Sequence, residues 1–107
     1  MLQITPEQLA TWLADAGRNS PQLLDVREPW EFQTCHIAGS QLLPMGEIPQ
    51  RLAELDPNAE VVVICHHGGR SMQVAAFLEK QGFSRVSNLA GGVDGWARRV
   101  DPAMPVY

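Results

Sequence analysis

Apolar residues along this chain fall into two kinds of run, and their alternation predicts the fold. Runs of the first kind are short and nearly continuous: Leu23–Val26, Gln41–Leu43, Val61–Ile64 and Val86–Leu89 each read as a strand. Val61–Ile64 is the strongest, with β-branched residues in succession and no polar interruption, as in a strand covered on both faces of a parallel sheet. Runs of the second kind have helical spacing. Leu9, Trp12, Leu13 and Ala16 fall at i, i+3, i+4 and i+7. They follow Thr5-Pro6-Glu7-Gln8, where Thr5 suits an N-cap, Pro6 the first helical position and Gln8 the far side of a capping box, and Gly17 closes the run. Val74, Phe77 and Leu78 predict a helix over Ser71–Gln81 ended by Gly82, with Ala75 and Ala76 small enough to let it approach a sheet.

Shorter helices are predicted from Pro29, with apolar contacts from Trp30 and Phe32, and over Ile48, Leu52 and Leu55, stopping before Asp56-Pro57-Asn58. Pro44-Met45-Gly46 reads as a connector. A last helix over Val93–Arg99 follows a tight Gly91-Gly92 turn and carries Trp96 inward. Asp101–Tyr107, with prolines at 102 and 105, reads as an extended tail. Strands alternating with helices predict an α/β domain with a mainly parallel sheet and right-handed crossovers.

Composition narrows the partners. A chain of 107 residues forms one domain, large enough to bury about two-thirds of its unfolded surface without disulfide support. No apolar run approaches the ~20 residues of a membrane helix and no basic apolar leader opens the chain, so a cytoplasmic address and no membrane partner are expected. A net charge of −4 argues against a nucleic-acid surface, which needs a concentrated basic face. Two cysteines, Cys35 and Cys65, make neither a disulfide framework nor a Cys-x-x-Cys motif.

The candidate chemistry lies where the strongest strand ends, in Cys65-His66-His67-Gly68-Gly69-Arg70-Ser71. The carboxyl end of a buried strand, just before a helix, is where open α/β sheets place their ligands. Gly68 and Gly69 let the loop curl so that successive N–H groups converge, and the helix that follows adds its positive end. Such a nest stabilises an anion, and the first anion available is the thiolate of Cys65, a nucleophile that then needs no partner base. Arg70 adds a permanent charge suited to a sulfonate or phosphate, and His66 and His67 add donors that shape the loop. Ser71 is placed to cap the helix while its hydroxyl reaches the Cys65 sulfur. Adjacent histidines and cysteines seldom converge on one ion, so no metal site is expected. After the second strand, Asp25, Arg27 and Glu31 are crowded enough to form an ion-paired network supporting the neighbouring loop.

Three stretches together carry a resemblance. Cys65 to Arg70 with Ser71 following, Asp25-Val26-Arg27-Glu28-Pro29-Trp30-Glu31-Phe32 with His36-Ile37-Ala38-Gly39-Ser40, and the Gly91-Gly92 pair three residues before Trp96 are similar to the hallmarks of rhodanese domains. The resemblance covers roughly Ile4 to Val100. It implies a single rhodanese-like domain over residues 1–107, with a mainly parallel five-stranded sheet flanked by helices. It further implies a sulfurtransferase without cofactor, in which Cys65 carries a persulfide, His66, His67, Gly68, Gly69, Arg70 and Ser71 bind the substrate, and Asp25, Arg27, Glu31 and His36 support the loop. Thiosulfate is the implied donor; cyanide in assay, or a thiol or protein partner, is the implied acceptor. Two other readings compete. Cysteine-dependent phosphatases and arsenate reductases put five residues between cysteine and arginine, whereas four stand between Cys65 and Arg70, a narrower cradle. A rhodanese-like binding module without turnover is the other, against which the intact cysteine and loop argue. One departure is Cys35, at a position where the family has glycine; a left-handed backbone there would cost it about a kilocalorie per mole.

Overall fold

The computed structural model describes all 107 residues, Met1–Tyr107. In chain order the elements are β1 (Leu2–Ile4), α1 (Pro6–Ala14), β2 (Gln22–Asp25), α2 (Pro29–Thr34), β3 (Gln41–Leu42), β4 (Val61–Ile64), α3 (Gly69–Lys80), β5 (Val86–Leu89) and α4 (Gly92–Arg99). The five strands form one sheet in the order β1-β5-β4-β2-β3, and every pairing is parallel. β4 is the centre. Its four residues are fully buried, and the alternation of a strand sends Val61 and Val63 to one face and Val62 and Ile64 to the other. On the first face α3 lays down Val74, Ala75 and Leu78, joined by Ile48 and Leu55; on the second lie Leu9 of α1 and Val93 and Trp96 of α4. With both faces covered, each of these large side chains contributes roughly 1.5–3 kcal/mol.

The topology positions the site. Strands β2 and β4 are neighbours, and the chain leaves β2 for β3 on one side and β4 for β5 on the other, so the direction of connection reverses between them. Such a reversal opens a crevice at the carboxyl end of the strands. Thr5 caps α1 with Pro6 first and Gln8 reciprocating, as the sequence predicts. No helix is long and apolar enough to cross a membrane.

Several expectations fail for identifiable reasons. α1 stops at Ala14, with Asp15 as C-cap, and Ala16 is exposed beyond it. Over Ile48–Leu55 there is no continuous helix but two 3-10 turns, Met45–Glu47 and Leu52–Glu54; Pro49 has no N–H to extend the first turn. Ile48 and Leu55 are buried all the same. Trp30 does not pack inward: it is 61% exposed. β1 is a three-residue edge strand that pairs only with β5, too short to show a period in sequence. Cys35 has φ −166°, extended backbone that any residue adopts, so replacement of glycine there strains nothing.

Candidate active site

Cys65 follows β4 directly and is 1% exposed. Its sulfur accepts the N–H of Gly68 at 3.1 Å and lies 3.3 Å from Ser71 Oγ. The turn depends on Gly68, whose φ of +107° makes it the left-handed N-cap of α3. The helix therefore starts at Gly69, two residues earlier than its apolar stripe indicates, and Ser71 sits inside the first turn rather than capping it. The amides of His66, His67, Gly69, Arg70 and Ser71 donate to no group of the protein. Three of them belong to the first turn of α3, where orphan N–H groups and the helix dipole favour negative charge.

The loop's carbonyls are turned the other way by a neighbour. In the first turn of α4, Val93 N–H donates to Cys65 O at 2.9 Å and Asp94 N–H to His66 O at 3.1 Å. Gly92 makes that approach feasible: a Cβ on it would stand 2.3 Å from Cys65 O and 2.4 Å from His66 O. These two loop carbonyls are thus bound by α4, while the five loop amides keep no partner.

Asn88 in β5 is a residue the sequence reading missed. Its Nδ2 donates to Gln3 Oε1 at 2.9 Å and to Gly68 O at 3.2 Å, which turns Oδ1 toward the hydroxyl of Ser71. A serine hydroxyl has one hydrogen, so it serves either Asn88 or the sulfur; a protonated Cys65 completes the chain S–H to Oγ–H to Oδ1. The signal was available, because Ser87 and Asn88 interrupt an otherwise apolar strand and a buried amide must find partners.

On the other flank the predicted charges meet, with one addition. Arg27 is fully buried and makes a two-pronged bond to Asp25, with Nη2 2.7 Å from Oδ2 and Nε 2.9 Å from Oδ1. Arg27 also donates to Cys35 O at 2.7 Å. Glu31 turns to Arg70, whose Nη1 and Nη2 reach its two oxygens at 2.7 and 2.9 Å. Those bonds hold the Glu31 carboxyl down at about 2, although its burial works the other way. Tyr107 closes the set: its hydroxyl accepts from Arg27 at 2.8 Å and donates to Glu31 at 2.8 Å, and its ring lies parallel to His66 with centroids 3.9 Å apart. Burial pushes the phenol up to about 12, so it remains a donor. Tyr107 lies in the stretch read as a bare tail, and nothing local in sequence ties it to Arg27. His36 stacks on Phe32 and bonds its carbonyl through Nδ1 at 2.8 Å, fixing the corner after α2.

The rings of His66 and His67 pack together with centroids 3.8 Å apart. Burial first, and the neighbouring His67 second, lower the His66 titration from its usual range. Ligand atoms of His66, His67 and Asp94 lie within 4.8 Å of one another, but Arg98 holds the Asp94 carboxylate at 3.0 Å.

A buried cysteine whose sulfur accepts an amide of its own loop, at the end of the central strand of a five-stranded parallel sheet, fits the family comparison. The rhodanese-like domain model matches residues 5–99. The chain belongs to the rhodanese family. It is 38% identical over 101 residues to the thiosulfate sulfurtransferase GlpE of Pseudomonas aeruginosa, covering 94% of this chain and 87% of that one. It is 41% identical over 106 residues to the probable adenylyltransferase/sulfurtransferase MoeZ of Mycobacterium tuberculosis, covering 97% of this chain and 26% of that one. The crystal structure of a rhodanese-like domain protein from Staphylococcus aureus superposes with a TM-score of 0.85 at 29% identity, covering 100% of this rhodanese and 99% of that chain. This rhodanese spans between 26% and 44% of the length of four longer curated relatives. Sulfur transfer is the activity shared by the names GlpE and MoeZ.

Proposed function

We propose that this rhodanese moves a sulfane sulfur from a donor such as thiosulfate to a nucleophilic acceptor through a persulfide on Cys65. One observation carries the reading: the sulfur of Cys65 accepts the amide of Gly68, in a loop whose amides at His66, His67, Gly69, Arg70 and Ser71 have no acceptor in the protein. In the first half-reaction the Cys65 thiolate attacks the outer sulfur of the donor; for thiosulfate, the bond between the two donor sulfurs breaks and its electron pair leaves with sulfite. The sulfonate end lies against the free amides and Arg70, whose side chain is 37% exposed beside Glu31. The loop amides then hold the charge of the terminal sulfur, as an oxyanion hole holds an alkoxide. In the second half-reaction cyanide in assay, or a thiol or protein thiolate, takes that sulfur and restores the Cys65 thiolate. Asp25, Arg27, Glu31 and His36 hold the frame on which Arg70 and the loop rest; His66, stacked on Tyr107, shapes the wall rather than moving protons.

Phosphoryl transfer is the alternative, and the four-residue span from Cys65 to Arg70 disfavours it, because fewer amides encircle a smaller space. Incubation with thiosulfate followed by intact-mass measurement separates the two. The expected result is one added sulfur atom, released by cyanide and absent in Cys65→Ser. A wild-type protein that stays unmodified yet cleaves an aryl phosphate overturns the reading.

A further inference from the structure

Arg70 is the one arginine between Cys65 and Ser71, and its guanidinium bonds to a single side chain. Nη1 and Nη2 reach the two oxygens of Glu31 at 2.7 and 2.9 Å, and the rest of the side chain is partly exposed. Where this arginine stands is therefore decided by how Glu31 is held.

Glu31 is buried, and each of its oxygens takes two bonds. Oε1 accepts Arg70 Nη1 and the N–H of Glu28 at 3.0 Å; Oε2 accepts Arg70 Nη2 and the hydroxyl of Tyr107 at 2.8 Å. The first oxygen is thus fixed from within the start of α2. The second is fixed from 76 positions away. Tyr107 is pinned in turn by Arg27 Nη1 at 2.8 Å, and Arg27 is fully buried on Asp25. Because a guanidinium has donors only, the single phenolic hydrogen has to go to Glu31, and the bridge runs in one direction. Both of its bonds are charge-assisted. No backbone–backbone hydrogen bond involves residues 105–107, so the side chain of Tyr107 anchors this end of the tail, with its ring on His66 at 3.9 Å and Trp30 against its edge at 5.6 Å.

We propose that Tyr107 is a positioning residue for sulfur transfer, its hydroxyl acting through Glu31 to fix the guanidinium of Arg70 beside the Cys65 loop. The inference rests on the reading in which Arg70 meets the sulfonate of thiosulfate, and it concerns how that arginine is placed. Tyr107 itself makes no hydrogen bond to Cys65. Without the hydroxyl, Oε2 keeps Arg70 as its only partner, and the carboxylate turns about its last bond with the arginine still attached. Arg70 then has to be ordered again each time a donor binds. Since the contact of Arg70 with the donor persists from the bound state into the transition state, the loss falls on donor binding and spares the limiting rate.

The test follows sulfur loading of Cys65 by intact mass at short times over a range of thiosulfate concentrations, which reads the limiting rate and the half-saturating concentration separately. Tyr107→Phe keeps the ring on His66 and removes only the hydroxyl. It is expected to raise the half-saturating concentration about three- to tenfold and to leave the limiting rate within about twofold. In an Arg70→Ala background the same change is expected to alter the second-order loading constant by less than about twofold, because the group through which Tyr107 acts is gone. A role in stability alone would lower loading by one factor in both backgrounds. Such an equal loss overturns the inference and leaves the Cys65 persulfide reading standing, as does an unchanged half-saturating concentration in Tyr107→Phe. Failure of thiosulfate to add sulfur to wild-type Cys65 overturns both.

Discussion

Gly92→Ala tests the contact that shapes the sulfur site, and its consequence follows from distances. The new Cβ would stand 2.3 Å from Cys65 O and 2.4 Å from His66 O, about 1 Å inside ordinary contact, and both atoms are backbone that no rotamer can clear. Gly92 also has φ +57°, which costs a residue with a Cβ roughly 1–2 kcal/mol. Relief requires α4 to back away, which lengthens or breaks the bonds from Val93 N–H and Asp94 N–H to the loop carbonyls, at about 0.5–1.5 kcal/mol each. The sum is about 2–5 kcal/mol, a large share of the ~5–15 kcal/mol that holds a domain of this size. Two other glycines separate the contributions. Gly39→Ala has φ +84° but open space around its Cβ and is expected to cost only about 1 kcal/mol; Gly46→Ala, with open space and no positive φ, is expected to change stability by less than about 0.5 kcal/mol. Urea unfolding ranks the three, and the rate of Cys65 alkylation in the folded protein reports the loop. Equal losses for Gly92→Ala and Gly39→Ala, with unchanged alkylation, would refute the idea that α4 sets the loop through this close approach.

Three further outcomes are expected. Ser71→Ala leaves the buried Oδ1 of Asn88 without its donor and is expected to lower stability by about 1–3 kcal/mol, measured by denaturant unfolding; Ser71→Ala with no loss would show that the amide turns freely to another partner. Glu31 titrates near 2 in the folded protein and near the ordinary glutamate value when unfolded, so its contribution is present above about pH 4.5 and is lost as pH falls toward 2. Discounted for the exposure of Arg70, that contribution is about 1–3 kcal/mol, and the slope of stability against pH in this window is expected to flatten in Glu31→Gln. Tyr107→Phe keeps the stack on His66 but loses two hydrogen bonds, for about 1–3 kcal/mol, whereas Tyr107→Ala also uncovers His66 and is expected to raise its titration toward the usual histidine range by NMR; an unmoved His66 would mean that the ring does not supply its burial.

Much of the fold is legible because the decisive signals are local. Val61–Ile64 reads as a doubly covered strand because four successive β-branched side chains favour extended backbone and a run this short suits a strand, and Thr5-Pro6-Glu7-Gln8 satisfies the first amides of α1 from within its own turn. The glycines after Cys65 likewise announce a loop that bends back on a helix start. What stayed hidden depends on residues far apart along the chain. Val93 and Asp94 hold the loop carbonyls across 28 positions, Asn88 reaches Ser71 across 17, and Tyr107 reaches Arg27 across 80. The sequence shows Arg70 beside the cysteine, but only the fold seats it on Glu31, 39 positions away. Propensity and periodicity act over a few residues, and so they determine the strand, the helix and the cysteine-bearing loop between them. The bonds that hold the loop carbonyls and the partner of Arg70 are set by packing between elements, and these belong to the tertiary structure alone.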